Sequence, residues 1–189
     1  MNGPSCPPRC RIVPWSPIDL RNRLPEVMRI YAEAMGYPPQ TAEQRYGYTA
    51  VHTTLEGFRA VAALGGRDSL VGFGYGYVTA PGQWWHDQVN IAMDPALVPR
   101  WLHDSFELCE LHVRPDSQGR GVGRALLLSL AEMVPQPRML LSTPEGDTRA
   151  WRLYHSLGFI DLVRHHRFPG DSRPFAVLGA RLPFGSAGA

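Results

Sequence analysis

A strand-like run, FELCELHV (106–113), passes into the glycine-rich stretch RPDSQGRGVGR (114–124) and from there into a leucine-rich segment. Val122, Leu126, Leu127, Leu130, Met133 and Val134 lie on one face of a predicted helix, which Pro135 and Pro137 stop. This order of strand, glycine loop and helix limits the possible folds more than any other feature. Gly119, Gly121 and Gly123 remove side chains where the backbone turns. The first N–H groups of the helix have no partner inside it and stand at its positive dipole end. An anion can therefore approach closely, and Arg120 and Arg124 can add charge-assisted bonds. The spacing is not that of a P-loop, because no Lys-Ser/Thr follows. It is not a dinucleotide fingerprint either, since the last glycine interval is too short.

The rest of the chain reads as an α+β domain. RIVPW (11–15) is a candidate opening strand. Leu20, Leu24, Val27, Met28, Tyr31 and Met35 repeat with helical spacing and predict one helix over 17–36, ended by Gly36 and Pro38-Pro39. TAEQRYGYTAVHTTLEGF is a weaker helical stretch, and RAVAAL and SLVGFGYGYVTA form a hairpin through GGRD. Residues 81–104 form the least regular part, with a short helix near DPALVPRWL. RMLLST (138–143) is the next strand. DTRAWRLYHSLGF is a helix with Asp147 or Thr148 as N-cap and Gly158 past its end. IDLVRHHRF and PFAVLGARL close the fold. Residues 11–182 make one domain, between a flexible N-terminus (1–10) and a flexible tail (183–189).

Composition excludes several classes. A net charge of +2 marks neither a nucleic-acid nor a membrane surface. No run reaches the roughly 20 apolar residues of a membrane span, and no signal-peptide core is present, so a cytoplasmic protein is expected. Cys6 and Cys10 have metal-like spacing without further ligands nearby, and the adjacent residues of RHHR (164–167) point to opposite strand faces. No metal is expected.

VRPDSQGRGVGRALL resembles the acyl-CoA-binding segment of the GNAT (GCN5-related) N-acetyltransferases, through Val113, Pro115, Gln118, Gly121 and Gly123. Ala150, Leu153, Tyr154, Gly158 and Phe159 match that family's second signature. The resemblance implies a GNAT fold: a mixed central sheet of about six to seven strands, flanked by about four helices and splayed between its two middle strands. It also implies acetyl-CoA as co-substrate. The diphosphate would be held by Gln118, Gly119, Arg120, Gly121, Val122, Gly123 and Arg124, and the pantetheine would lie along Leu111, His112 and Val113, near Ala150. Asp147 stands where many members carry an Asn that contacts the pantetheine.

By the same resemblance Tyr154 is the general acid for the leaving thiolate. Glu107 and Glu110 are both candidates for the base; strand alternation sets them on opposite faces unless the strand is bulged. His112 can relay protons or pack against a neighbour. Trp84, Trp85, His86 and Asp87 can form a pocket for a cationic amine or pack an insertion. The expected activity is direct acetyl transfer to a primary amine of a small molecule. The alternatives are a protein acetyltransferase, a CoA-binding module without turnover and a nucleotide-binding protein. A homodimer is compatible with the resemblance.

Overall fold

A computed structural model describes residues 10–185. The expectations for residues 1–9 (including Cys6) and for 186–189 lie outside the described residues. The chain forms seven strands: β1 (Arg11–Trp15), β2 (Arg59–Leu64), β3 (Leu70–Val78), β4 (Phe106–Val113), β5 (Arg138–Pro144), β6 (Ile160–His166) and β7 (Phe175–Arg181). The helices are α1 (Pro17–Asn22), α2 (Leu24–Met35), α3 (Pro39–His52), α4 (Trp84–Ala92), α5 (Val98–Trp101), α6 (Val122–Glu132) and α7 (Arg149–Ser156). One sheet runs in the order β1-β2-β3-β4-β5-β7-β6. It is mixed: β4 and β5 are parallel through Phe106↔Met139 and Glu107↔Leu140, while β1-β2, β2-β3, β5-β7 and β6-β7 are antiparallel. A parallel pair requires a crossover, and α6 supplies it.

The chain divides into two compact units. The first holds the chain up to Gly76 together with Glu110–Met133. Its core is the apolar face of α6 (Val122, Leu126, Leu127, Leu130) set against β1 and β2, with Leu24, Val27, Met28 and Ile30 of α2 also buried. The second unit holds Tyr77–Cys109 and the chain from Val134 onward. Trp85, Val89, Met93, Trp101 and Leu102 there bury against Leu140, Phe168 and Val177.

Three expectations are corrected. The helix over 17–36 is two helices that meet at Arg23, with Pro25 in the first turn of α2. Proline has no N–H and its ring meets the carbonyl four residues back, so a continuous helix fails there, whereas the first turn accepts it. The stretch 81–104 carries, besides the short helix expected near DPALVPRWL (α5), a longer one that the sequence reading missed, α4. Gln83 organises its entry: its side-chain oxygen accepts from the Ala80 N–H at 2.9 Å and its amide donates to the Val78 carbonyl at 3.1 Å. Seven helices flank the sheet among the described residues, against the four expected.

Candidate active site

In the first unit, Gly119 and Gly121 of the loop after β4 take left-handed φ values of 74° and 82°. Both are open to solvent, and a Cβ at either would meet nothing within 4 Å, so conformation and not crowding selects glycine. Gly121 is the N-cap of α6 and provides no side-chain cap. The first turn bond of the helix is Ala125 N–H to the Gly121 carbonyl, 3.0 Å, which leaves the preceding amides directed out of the helix. Gln118 anchors the loop by donating to the Val113 carbonyl at 3.0 Å. Arg120 and Arg124 are exposed. The loop, the uncapped helix and the arginines therefore occur together as the sequence suggested.

The strand leading into this loop is held by close backbone approach. A Cβ on Gly72 would stand 2.8 Å from the His112 carbonyl oxygen, and one on Gly74 would stand 3.0 Å from Leu111. Gly72→Ala must push β4 aside, because its nearest neighbour is backbone. We expect a loss of about 1–3 kcal/mol of stability, read by urea unfolding; an unchanged midpoint would show that β4 is free to shift.

Both β4 carboxylates are buried, Glu107 at 4% and Glu110 at 7% exposure. Glu110 belongs to the first unit and has two partners. Arg45 Nη2 of α3 donates to its Oε1 at 2.7 Å, and His112 Nε2 lies 2.5 Å from its Oε2. Burial opposes ionisation of Glu110. The His112 hydrogen bond and the charge of Arg45, joined by His112 and His52 when those rings are protonated, outweigh it and hold the carboxyl below its usual range. The guanidinium of Arg45 also lies 4.9 Å from the Tyr31 ring centre, and Tyr31 meets the His112 ring edge-on at 5.2 Å. Phe73 closes another side of that imidazole at 5.6 Å. His52 Nδ1 pairs with the Tyr75 hydroxyl at 3.1 Å, and burial lowers its pKa.

In the second unit, Glu107 and the Tyr77 hydroxyl share a hydrogen bond, and Cys109 Sγ lies 3.7 Å from the same hydroxyl. Burial, with Cys109 and Glu107 nearby, raises the Tyr77 hydroxyl far above its ordinary range. Tyr154 is buried on α7 with its ring 5.5 Å from Phe159. Thr148, not Asp147, caps α7, accepting from the Trp151 N–H at 3.1 Å. Asp147 is exposed and paired with Arg152, and Ala150 is exposed in the first turn.

Trp84 and Trp85 do not act as a pair. Successive helical residues are turned by about 100°, so Trp84 is 57% exposed while Trp85 is buried at 8%. The Trp85 indole donates to Ser142 Oγ at 3.0 Å. Asp87 accepts from the Gly82 N–H at 3.1 Å and lies 3.0 Å from His86 Nδ1. The latter contact, then the former, lowers its pKa. A cavity of about 500 Å³ includes Thr79, His86, Asp87, Asn90, His103 and Asp104 in its lining. Sequence reasoning named His86 and Asp87 and missed Thr79, Asn90, His103 and Asp104, which lie apart from them in the chain.

Among the described residues no group of three or more His, Cys, Asp and Glu side chains could hold a metal, and neither Cys10 nor Cys109 is in a disulfide there. None of their helices is long and apolar enough to cross a membrane. Within the RHHR run, His165 adopts φ 57° at a register shift, and its N–H and the Arg164 Nε both donate to Glu145 Oε1 at 2.7 Å. Arg164, then the His165 amide, brings the Glu145 pKa down to about 2. A depressed carboxylate stabilises the fold above its unfolded pKa, and that contribution is lost as pH falls through the folded value. The stability difference between the protein and Glu145→Gln should therefore be full at pH 6 and decline between about pH 4.5 and 2. Urea titrations across that range test it, and a difference that does not change with pH would refute it.

The sequence profile of the Acetyltransferase (GNAT) family matches residues 24–159. The chain is 37% identical to the Mycobacterium tuberculosis protein named GCN5-like protein acetyltransferase Rv2170, over 91% of this chain and 98% of that one. Among solved structures, it is similar to a putative GNAT acetyltransferase from Desulfovibrio desulfuricans (TM-score 0.66, 16% identity, 92% of this chain and 99% of that one). Another is the putative acetyltransferase yncA of Salmonella typhimurium with its cofactor acetyl-CoA (TM-score 0.65, 15% identity, 96% and 98%). The glycine loop at an uncapped helix, the sheet order and these matches converge: the chain belongs to the GNAT family and is an acetyl-CoA-dependent acyltransferase.

Proposed function

We propose that the protein moves an acetyl group directly from acetyl-CoA to a primary amine of a small molecule. The observation that carries this reading is the loop of left-handed glycines opening an α6 that no side chain caps. Main-chain N–H groups from Gln118 to Arg124 hold the diphosphate, with Arg120 and Arg124 adding charge. The backbone of Leu111, His112 and Val113 pairs with the pantetheine, and its amides stabilise the oxyanion formed when the amine attacks. Tyr154 supplies the proton to the departing thiolate. Ala150, small and exposed at the start of α7, leaves room for the pantetheine. Asp147 is a weaker contact, because its carboxylate is paired with Arg152. Simultaneous binding of both substrates supplies much of the rate.

For the acceptor, a cavity of about 500 Å³ is the size of a small-molecule site, and Asp87 in its wall suits a cationic amine. Trp85 supports the wall from the core, and Trp84 remains available at the surface. The M. tuberculosis relative favours a second reading, since it is named a protein acetyltransferase. The test follows release of free thiol from acetyl-CoA with a panel of small primary amines beside a lysine-containing peptide. We expect at least one small amine to exceed the peptide about tenfold in kcat/KM. Preference for the peptide would replace the first reading by the second, and no thiol release with any amine would end both.

A further inference from the structure

Resting on the proposed acetyl transfer, we infer that His112, and neither β4 carboxylate, is the base that takes the proton from the amine, and that Glu110 and Arg45 position it. The general reason lies in the two ends of the imidazole. Its Nε2 is 2.5 Å from Glu110 Oε2. Its Nδ1 makes no hydrogen bond among the described residues. An ionised carboxylate accepts only, so the hydrogen of the neutral ring must sit on Nε2. That leaves a lone pair on Nδ1, in the form a base needs.

Neighbours from three elements hold this arrangement. Arg45 from α3 holds the other oxygen of Glu110 at 2.7 Å and keeps the buried carboxylate charged. Tyr31 from α2 meets the ring edge-on at 5.2 Å, and Phe73 from β3 lies at 5.6 Å, so the imidazole cannot turn over freely. His52, which acts on Glu110 when charged, is bonded to Tyr75 at 3.1 Å. The His112 side chain is 11% exposed, close to the backbone segment proposed to carry the thioester. Glu110 is itself a poor base, because its lone pairs are engaged by Arg45 and His112 and its proton affinity is reduced. Glu107 is bonded to Tyr77.

The step balances. The amine nitrogen attacks the thioester carbonyl carbon, a C–N bond forms, and one N–H proton passes to His112 Nδ1. The C–S bond breaks, and the thiolate takes a proton from Tyr154. The imidazolium then returns its proton, through solvent, to the tyrosinate. One amine and one acetyl-CoA yield one amide and one free CoA.

Nitrogen-15 NMR of the histidine-labelled protein reads the tautomer directly and needs no substrate. We expect neutral His112 to be protonated on Nε2, and Glu110→Gln to abolish that preference. With the best amine of the panel, His112→Ala should lower kcat roughly 100-fold or more with KM for acetyl-CoA unchanged, and added imidazole should restore part of it. Calorimetry with acetyl-CoA checks that the variant is folded and loaded. A neutral ring protonated on Nδ1, or a loaded His112→Ala with kcat within about threefold of the parent, overturns the inference alone. A parent protein that binds acetyl-CoA and acetylates no amine overturns the proposed function, and this inference with it.

Discussion

Gly121→Asp should raise the dissociation constant for acetyl-CoA roughly 100-fold, about 2.7 kcal/mol, while the protein still folds. Gly121 sits at φ 82° at the N-cap of α6, exposed and with open space where a side chain would project. Aspartate is among the non-glycine residues that tolerate this backbone region best, so the substitution does not dismantle the helix entry. What changes is the electrostatics. A carboxylate at the N-terminus of α6 occupies the positive end of the helix and competes for the same N–H groups as the diphosphate. Calorimetry measures the loss, and circular dichroism confirms the fold. Unchanged affinity would mean that the cofactor is held elsewhere, and the proposed function would lose its foundation.

Tyr154→Phe should lower kcat about 100-fold with little effect on KM for acetyl-CoA. Phenylalanine keeps the aromatic ring packed against Phe159, 5.5 Å away, and removes only the hydroxyl. Loss of an interaction made in the transition state lowers kcat and kcat/KM together, whereas loss of uniform binding raises KM alone. Steady-state rates with the preferred amine separate the two. A variant at full kcat would remove Tyr154 from the chemistry and leave proton delivery to solvent.

The strand–loop–helix unit was legible because its signals are local. The glycines, the helix entry and the Ala150-to-Phe159 signature each lie within a few turns of chain, and left-handed φ at Gly119 and Gly121 is a demand that the residue type itself announces. The two β4 carboxylates were harder. Alternation placed Glu107 and Glu110 on opposite faces, yet both are buried, because polar partners stand on each side of β4 to receive them. The tandem tryptophans, adjacent in sequence, are divided by the helical turn, which no pairing of neighbours in the sequence displays.

The sequence by itself determined the strand–loop–helix unit, the family and the register of apolar faces, since all of these follow from periodicity and from the conformations open to single residues. Tertiary structure alone decided which distant side chains meet. Arg45 reaches Glu110 across 65 positions, and Trp85 reaches Ser142 across 57. Such pairings depend on how helices settle against a sheet, and a residue's charge or shape names its possible partners without choosing among them.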